Sequence, residues 1–394
     1  MYYRELQNQL LTLTQKWSVI SVTGPRQSGK TTLCKITFPN YEYYNLEDLP
    51  TRQHIAQNPA AFLRARAAGV IIDEAQLLPE LFSAVQVVVD EEKSRRIVLS
   101  GSSDFLLMQG ITQSLAGRVA VLRLLPLSIS ELGNAPVSTA ELMYKGGLPS
   151  IWGDGKEVGS VMESYLTTYV ECDVRQFINI KNIELFRKFI TLCATRIGSE
   201  FNAQSLSNDL GASVVTVKEW IRILQASYII YELPPFFRNI GKRLIKTPKI
   251  YFYDTGLVCY LLGVESAPQL DRHPLKGNIF ENLIVTEMIK SRFNKGLRSN
   301  LFYYRDKGQH EIDVIQEFGN ELRAYEIKSA TVISDDFFRN MKYLRGLLPQ
   351  EVISSQVIYD GVQESREPHN GYLNFRHWKE DNPWANPPAG IKQG

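Results

Sequence analysis

Long apolar runs, closely spaced cysteines and a strong net charge are all missing from this sequence of 394 residues. No stretch approaches the ~20 uninterrupted apolar residues of a membrane-spanning helix. The N-terminal residues also lack the apolar core and the small-residue cleavage site of a secretion signal. We therefore expect a cytoplasmic protein, and a prior of about 150 residues per domain predicts two or three domains.

The cysteines and the charge exclude two further classes of site. No two of the four cysteines have CxxC spacing, which argues against a structural zinc site and against a disulfide framework. The net charge of +2 is too small to indicate nucleic-acid binding from bulk electrostatics. Any contact with nucleic acid must therefore depend on local basic patches.

A phosphate-binding pattern lies near the start of the chain. The run SVISVTGPRQSGKTTLCKITF passes from a β-branched strand through a glycine-containing loop into a helical segment. Residues 24–31 fit GxxxxGK[ST], in which backbone N–H groups surround the phosphates, Lys30 reaches the β and γ oxygens and Thr31 offers its hydroxyl to Mg²⁺. The predicted nucleotide-contacting residues are Gly24, Pro25, Arg26, Gln27, Ser28, Gly29, Lys30, Thr31 and Thr32.

Two acids complement this loop. The run GVIIDEAQ predicts a buried parallel strand whose carboxyl end lies where ligands bind in open α/β sheets. Asp73 is predicted to hold Mg²⁺ through water, and Glu74 is predicted to orient the attacking water. The alternative for such a pair is a helix N-cap followed by an acid in the first helical turn.

Two more apolar runs follow, and each ends near a candidate for phosphate chemistry. Ser102 or Ser103 is predicted to sense the γ-phosphate. Arg118, in SLAGRV, is a candidate for stabilising the charge of phosphoryl transfer, either in its own subunit or in a neighbouring subunit of a homo-oligomer. The alternative role for Arg118 is a salt bridge at a strand edge.

Six segments in a fixed order carry a resemblance that covers nearly the whole chain: TGPRQSGKTTL, IIDEAQ, LSGSSDFLL, LAGR, LPLSISEL and GGLP. Together they resemble a large bacterial and archaeal family of AAA-type ATPases whose members carry a C-terminal domain of unknown function. The resemblance implies ATP hydrolysis and a five-stranded parallel sheet sandwiched by helices. The sensor position, usually Asn in AAA proteins, is Ser102 or Ser103 here.

The middle of the chain predicts a helix-turn-helix followed by two strands of a basic wing. A glycine-rich segment at 146–160 is interpreted as a linker. A short helix through Leu206 and Leu210 then breaks at Gly211 before a second helix with an apolar inner face. The residues predicted to contact DNA are Lys218 and Arg222 on the second helix and Arg238, Lys242, Arg243 and Lys246 in the wing, where Lys249 adds another basic residue.

Two features keep other interpretations of this region open. Glu219 lies on the second helix and argues against tight DNA binding. Winged helices also serve as protein contacts and as ATPase lids, so a protein partner is the alternative to DNA.

The C-terminal third predicts a helix followed by a hairpin. Glu281 borders the apolar surface of the helix and needs a partner. Gly319-Asn320 predicts a two-residue type II′ turn, which places Asp313 opposite Glu326 and Glu311 opposite Lys328. Two carboxylates paired across a sheet lie ~5 Å apart and repel each other unless a cation compensates.

That arrangement resembles the core of a PD-(D/E)xK nuclease. By this resemblance Glu281, Asp313, Glu326 and Lys328 are the metal and catalytic candidates, with Asp313 and Glu326 as ligands of a second Mg²⁺. The alternative is that Lys328 alone neutralises the two acids.

These patterns predict an α/β fold of three domains followed by a tail. The expected parts are a P-loop ATPase domain at 1–145, a helical and winged helix-turn-helix domain at 146–264, a restriction-endonuclease-like domain at 265–378 and a flexible tail at 379–394. Three functions fit them: an ATPase that controls a DNA-contacting C-terminal half, an ATP-regulated endonuclease, and a non-enzymatic nucleotide switch that binds a protein partner.

Overall fold

The computed structural model of the protein describes residues 2–66, 68–102, 107, 110–111, 113–133, 136–169, 183–237 and 247–380. No helix within these ranges is long and apolar enough to cross a membrane.

Five parallel strands form the N-terminal sheet: Val19–Thr23 (β1), Glu42–Asn45 (β2), Val70–Asp73 (β3), Ile97–Gly101 (β4) and Val119–Arg123 (β5). Their order across the sheet is β2-β3-β4-β1-β5, and every neighbouring pair is parallel. Every residue of β1, β3 and β4 is buried, as expected for strands covered on both faces. The predicted five-stranded parallel sheet is confirmed.

Helices cover both faces of this sheet: Leu6–Thr14 (α1), Lys30–Thr37 (α2), Leu49–Gln57 (α3), Pro59–Arg64 (α4) and Glu80–Glu91 (α5). On one face Ile20 and Val22 belong to a core with Leu33 of α2. On the other face Val19 belongs to a core with Phe82 of α5. Successive side chains of β1 point to opposite faces of the sheet, which explains why a single strand contributes to two cores.

The middle region consists mainly of helices: Ile129–Leu132 (α6), Thr139–Lys145 (α7), Pro149–Gly153 (α8), Val158–Thr168 (α9), Ile183–Ala194 (α10), Ala203–Leu210 (α11) and Val214–Ala226 (α12). The expectation of a linker at 146–160 was wrong in part. Helix α8 lies inside it, and Leu148 and Ile151 are buried. A Cβ at Gly147 would lie 2.6 Å from the Leu127 carbonyl oxygen, so glycine is needed for close packing there.

Helices α11 and α12 lie where the helix-turn-helix pattern predicts them. Gly211 ends α11 with a φ of +73°, and the Ser213 hydroxyl accepts the Thr216 N–H to cap α12. The predicted inner residues are all buried: Leu206, Leu210, Val217, Trp220, Ile221 and Leu224. Two antiparallel strands follow, Ile230–Leu233 (β6) and Lys249–Phe252 (β7), and Glu200 bridges to Lys249 on the other side of β7.

Helices Thr255–Leu261 (α13), Ala267–Asp271 (α14) and Lys276–Asn294 (α15) lead to the C-terminal sheet. Its elements are Leu301–Arg305 (β8), Glu311–Phe318 (β9), Glu321–Lys328 (β10), Arg339–Leu347 (α16), Val352–Tyr359 (β11) and His369–Asn374 (β12). The strand order is β12-β11-β10-β9-β8, and β9 is antiparallel to both of its neighbours while β11 is parallel to both of its own.

The predicted hairpin register is present between β9 and β10. Glu321 pairs with Phe318, and the ladder continues to Tyr325 opposite Val314. Gly319 has a φ of +63°, as the first central residue of a type II′ turn requires.

The predicted start of the tail, at residue 379, was wrong for Glu380. Glu380 is buried, with its carboxylate 3.0 Å from Arg292 and 2.8 Å from Lys295, both near the end of α15. Residues 381–394 lie outside the described residues.

Candidate functional site

The phosphate loop connects β1 to α2, as the pattern predicts. Gly24 has a φ of +147°, and a Cβ there would lie 2.1 Å from the Leu124 carbonyl oxygen. Gly29 has a φ of +91° and directly precedes α2. Lys30 Nζ donates to the carbonyl oxygens of Gly24 (2.9 Å) and Pro25 (2.7 Å), so its ammonium lies across the loop where triphosphate oxygens would accept from it.

Asp73 and Thr31 lie together at the carboxyl end of β3. The Thr31 hydroxyl donates to Asp73 Oδ2 at 2.6 Å. Ser100 donates to Oδ1 at 2.6 Å and Tyr43 donates to Oδ2 at 3.0 Å, so two further side chains fix the carboxylate. An adjacent hydroxyl and carboxylate are oxygen ligands of the kind Mg²⁺ prefers, so these residues fit the ion that accompanies ATP.

Glu74 projects into the same pocket from a left-handed backbone conformation with a φ of +52°. Burial raises the pKa of Glu74, an effect that the nearby Lys30 opposes. Gln76 donates to the Glu74 carboxylate, and Ser102 Oγ donates to it at 3.3 Å. The helix-cap alternative is not what the structure shows, since Asp73 belongs to β3 and Glu74 itself occupies the N-cap position of a short 3-10 helix, Ala75–Leu77, without a capping hydrogen bond from its side chain. Ser103 lies outside the described residues.

These groups line a pocket of about 980 Å³. Of the predicted loop residues, the pocket is lined by Arg26, Gln27, Gly29, Lys30, Thr31 and Thr32, while Gly24, Pro25 and Ser28 belong to the loop backbone behind it. Pro149 and Tyr165 of the middle region complete the wall. The nucleotide pocket therefore lies between two regions of the chain.

Arg118 does not line this pocket. Its Nε and NH2 groups donate to the two carboxylate oxygens of Asp90, each at 2.8 Å. Within one chain Arg118 therefore forms the salt bridge that was its alternative role, and a role in a neighbouring subunit stays a prediction.

Arg4 is a residue of this site that sequence reasoning missed. Its buried guanidinium donates to the carbonyl oxygens of Ser28 and Leu125, each at 2.6 Å, and lies 3.1 Å from the Glu131 carboxylate. Arg4 thus fixes the phosphate loop from behind. Its polar N-terminal segment carries no sequence signal for such a role.

Two of the predicted DNA-contacting residues, Lys218 and Arg222, are exposed on α12. Arg238, Lys242, Arg243 and Lys246 lie outside the described residues. Lys249, predicted as part of the basic wing, is instead buried, with a side chain that is 3% exposed. Every residue of β7 is buried, so the alternation of the strand gave no signal for this environment.

The C-terminal acids converge around two lysines. Lys249 Nζ lies 3.3 Å from Glu281 and 2.6 Å from Glu311, and Lys328 Nζ lies 2.6 Å from Glu326 and 3.8 Å from Asp313. The ladder between β9 and β10 ends before Glu311 and Lys328, so their pairing stays a prediction, and the Glu311 carboxylate contacts Lys249.

Burial dominates the electrostatics of this acidic centre. Burial, supported by the charge of Asp313, raises the pKa of Glu281 to about 7 and the pKa of Glu326 to about 8. Asp313 itself accepts the Ile327 N–H at 2.7 Å. Lys249 lowers the pKa of Glu281 and Lys328 lowers the pKa of Glu326, so each lysine acts on a different side of the centre.

The arrangement of these side chains does not fit a metal ion in this conformation. Within the described part of the chain, no three or more His, Cys, Asp or Glu side chains are placed to hold one. Glu281 Oε1 and Glu326 Oε1 contact ammonium groups instead, and Glu326 Oε2 is buried without a hydrogen-bond partner.

Comparisons with known proteins agree with the N-terminal site. Residues 16–133 match the family described as an AAA domain, which supports an AAA-type ATPase relationship and ATP binding by this region. Residues 137–267 and 276–377 match two domains of unknown function, DUF8612 and DUF4143.

The curated relatives that match are themselves uncharacterized. Proteins of Mycobacterium bovis and Mycobacterium tuberculosis are each 28% identical over 348 residues, which cover 87% of this chain and 76% of theirs. A protein of Methanocaldococcus jannaschii is 24% identical over 243 residues, covering 56% of this chain and 52% of its own length.

Among solved structures, a Walker-type ATPase of Pyrococcus abyssi is 14% identical, with 66% of this chain and 95% of that chain covered and a TM-score of 0.45. A signal transduction ATPase with numerous domains from Pyrococcus horikoshii is 12% identical, with 75% and 48% covered and a TM-score of 0.28.

Proposed function

We propose that this protein hydrolyses ATP with Mg²⁺ in its N-terminal region and couples its nucleotide state to a C-terminal, DNA-contacting, nuclease-like module. The observation that carries the ATPase half is the contact between Thr31 and Asp73, at 2.6 Å, beside the phosphate loop. It joins the two residues that P-loop enzymes use around the metal ion.

The side chains of this site have separate roles in hydrolysis. Lys30 donates to the β and γ oxygens, and the loop N–H groups fix the phosphates. Mg²⁺, which Thr31 and Asp73 would hold, supplies positive charge to the same oxygens. Glu74 orients the attacking water and accepts its proton, a role that suits a carboxyl whose pKa is raised toward neutrality by burial.

DNA contact is proposed for the winged helix formed by α11, α12, β6 and β7. Lys218 and Arg222 are exposed on the outer face of α12, while its inner face is buried. A helix with a basic outer face and a basic segment at 238–246 supplies the charge that phosphate contact needs.

Coupling is proposed because the regions share buried polar contacts. The Thr23 hydroxyl, directly before the phosphate loop, lies 2.6 Å from the hydroxyl of Tyr228, two residues before β6. Lys290 of α15 donates to the Leu127 carbonyl oxygen at 2.8 Å, and Glu287 accepts the Ile129 N–H at 2.7 Å. A structural change at the phosphate loop can therefore be transmitted to the C-terminal half through these contacts.

The test is phosphate release by the full chain, with and without duplex DNA, scored together with strand scission. We expect turnover in the wild type and its loss in Lys30→Ala. Lys35→Ala is the matched control, because Lys35 lies on the same helix but does not line the pocket. Wild-type turnover in Lys30→Ala would contradict the assignment.

A further inference from the structure

The described residues that line the nucleotide pocket include three cationic side chains, Arg4, Arg26 and Lys30. Arg4 donates to the carbonyl oxygens of Ser28 and Leu125 behind the loop, and Lys30 is the lysine of the phosphate-binding pattern. That pattern, GxxxxGK[ST], requires no particular residue at position 26. The Arg26 side chain is nevertheless only 20% exposed, so the pocket encloses a cation that phosphate binding by the loop does not explain.

Arg26 lies at the end of the pocket that holds the two acids. One of its guanidinium nitrogens is 3.9 Å from the Glu47 carboxylate. Glu47 follows Asn45, the last residue of β2, by two positions, and Asn45 pairs with Asp73 across the sheet. Because β2 and β3 are parallel, Glu47 and Glu74 leave the sheet at the same edge. Contact with Glu47 therefore places the guanidinium at the Asp73 end of the pocket.

The charge of Arg26 acts on Glu74. Burial raises the pKa of Glu74, and the charges of Lys30 and Arg26 both lower it. A Coulomb interaction weakens with distance, so both cations lie near this carboxylate. Lys30 Nζ is also 2.7 Å from the carbonyl oxygen of Pro25, the residue before Arg26. Two cations thus face the residue that is proposed to orient the attacking water.

The ion pair of Arg26 with Glu47 is one that a phosphate group can replace. A separation of 3.9 Å is too long for a hydrogen bond, and water screens the pair because the Glu47 side chain is 54% exposed. Arg118, in contrast, makes two bonds of 2.8 Å to Asp90 outside the pocket. A planar guanidinium can donate two parallel N–H bonds to phosphate oxygens. Within one chain, Arg26 is therefore better placed than Arg118 to contact the γ-phosphate.

We propose that Arg26 is a catalytic residue whose guanidinium donates to the γ-phosphate oxygens of ATP and stabilises the transition state of hydrolysis within a single chain. This role rests on the ATP hydrolysis of the proposed function. The water oxygen forms a bond to the γ-phosphorus while the bond from that phosphorus to the bridging oxygen breaks. The bridging oxygen keeps the electron pair and leaves with ADP, and Glu74 accepts the proton of the water. Arg26 stabilises the negative charge of the phosphoryl group as it passes between the two oxygens.

The test is phosphate release by the full chain, combined with calorimetric affinities for a non-hydrolysable ATP analogue and for ADP with aluminium fluoride, a mimic of the transferring phosphoryl group. We expect Arg26→Ala to lower kcat by at least ~100-fold and to change the affinity for the ATP analogue by less than ~5-fold. The fluoride complex is expected to lose its tight binding. Arg118→Ala is the matched control and is expected to keep kcat within ~2-fold of the wild type, because Arg118 pairs with Asp90 outside the pocket.

Arg26→Lys provides a second variant, which keeps the positive charge but not the planar pair of donors. We expect its kcat to fall by at least ~10-fold while it still binds the ATP analogue. Wild-type kcat in Arg26→Ala, or a loss of analogue affinity as large as the loss of turnover, would overturn the catalytic role. Absence of turnover in the wild type would contradict the proposed function as well. Turnover that Lys30→Ala abolishes and Arg26→Ala retains would overturn the role of Arg26 alone.

Discussion

The hydroxyl oxygens of Thr23 and Tyr228 lie 2.6 Å apart although 205 positions separate the two residues in the sequence. Thr23 ends β1, and the next residue begins the phosphate loop. Tyr228 is buried and has a φ of +58°, a conformation that is uncommon for a bulky residue. This contact connects the end of β1, beside the phosphate loop, to a residue two positions before β6.

Tyr228→Phe is expected to weaken the coupling between ATP and DNA without removing either binding site. The change deletes one hydroxyl and keeps the ring, so we expect the free energy of unfolding to fall by only ~1 kcal/mol. Urea denaturation and the DNA affinity with and without ATP provide the measurements. Tyr231→Phe is the control, because its hydroxyl contacts Thr286 of α15 rather than the N-terminal region. Unchanged coupling in Tyr228→Phe would exclude this contact as the connection.

Glu74→Gln is expected to retain ATP affinity and to reduce turnover by roughly 100- to 10,000-fold, the usual contribution of a general base. The amide keeps the shape of the side chain but accepts no proton from water. Calorimetry gives the affinity and phosphate release gives the rate. Turnover near that of the wild type would assign the water-orienting role to another residue.

The double variant Lys218→Glu, Arg222→Glu is expected to weaken DNA binding and to reduce the slope of log affinity against log salt by about 1 for each lost phosphate contact. Fluorescence anisotropy over a range of salt concentrations measures both quantities. Lys93→Glu is the control, since Lys93 is 76% exposed on the N-terminal region. An unchanged slope in the double variant would favour a protein partner for α12.

Glu287 predicts a pH dependence of stability. Burial raises its pKa above the ordinary value of 4.5, while Lys290 opposes the shift. A carboxyl with a raised folded-state pKa contributes its full stability below the unfolded value and loses it as the pH rises through the folded value. We therefore expect the free energy of unfolding of the wild type to fall more steeply than that of Glu287→Gln as the pH is raised from 4.5. Urea denaturation at a series of pH values measures both. If the free energies of unfolding of the wild type and Glu287→Gln changed in parallel with pH, the raised pKa of Glu287 would be contradicted.

The parts of the protein that the sequence predicts well are specified by neighbouring residues. The phosphate loop needs only a strand, eight loop residues and a helix start, and the hairpin register follows from one two-residue turn. The contact of Asp73 with Thr31 also follows, because parallel strands end at the same edge of the sheet.

The parts that could not be predicted depend on distant contacts. Every residue of β7 is buried, so strand alternation could not show which way Lys249 points. Its location in a run of basic residues favoured an exposed position in the wing, which was wrong. Its partner Glu281 lies 32 positions away in the sequence. Glu380 was assigned to a flexible tail because its segment is polar and proline-rich. Such a composition does not show that the Glu380 carboxylate pairs with Arg292 and Lys295.

The most direct test of the central claim is the DNA affinity of the full chain with a non-hydrolysable ATP analogue and Mg²⁺, compared with its affinity without nucleotide. Coupling between the sites predicts that the two dissociation constants differ by at least ~5-fold and that DNA changes the affinity for the analogue by the same factor. Lys30→Ala is expected to abolish the difference. Equal DNA affinities in the two nucleotide states, with the analogue shown to be bound, would contradict the claim that this ATPase region controls a DNA-contacting module.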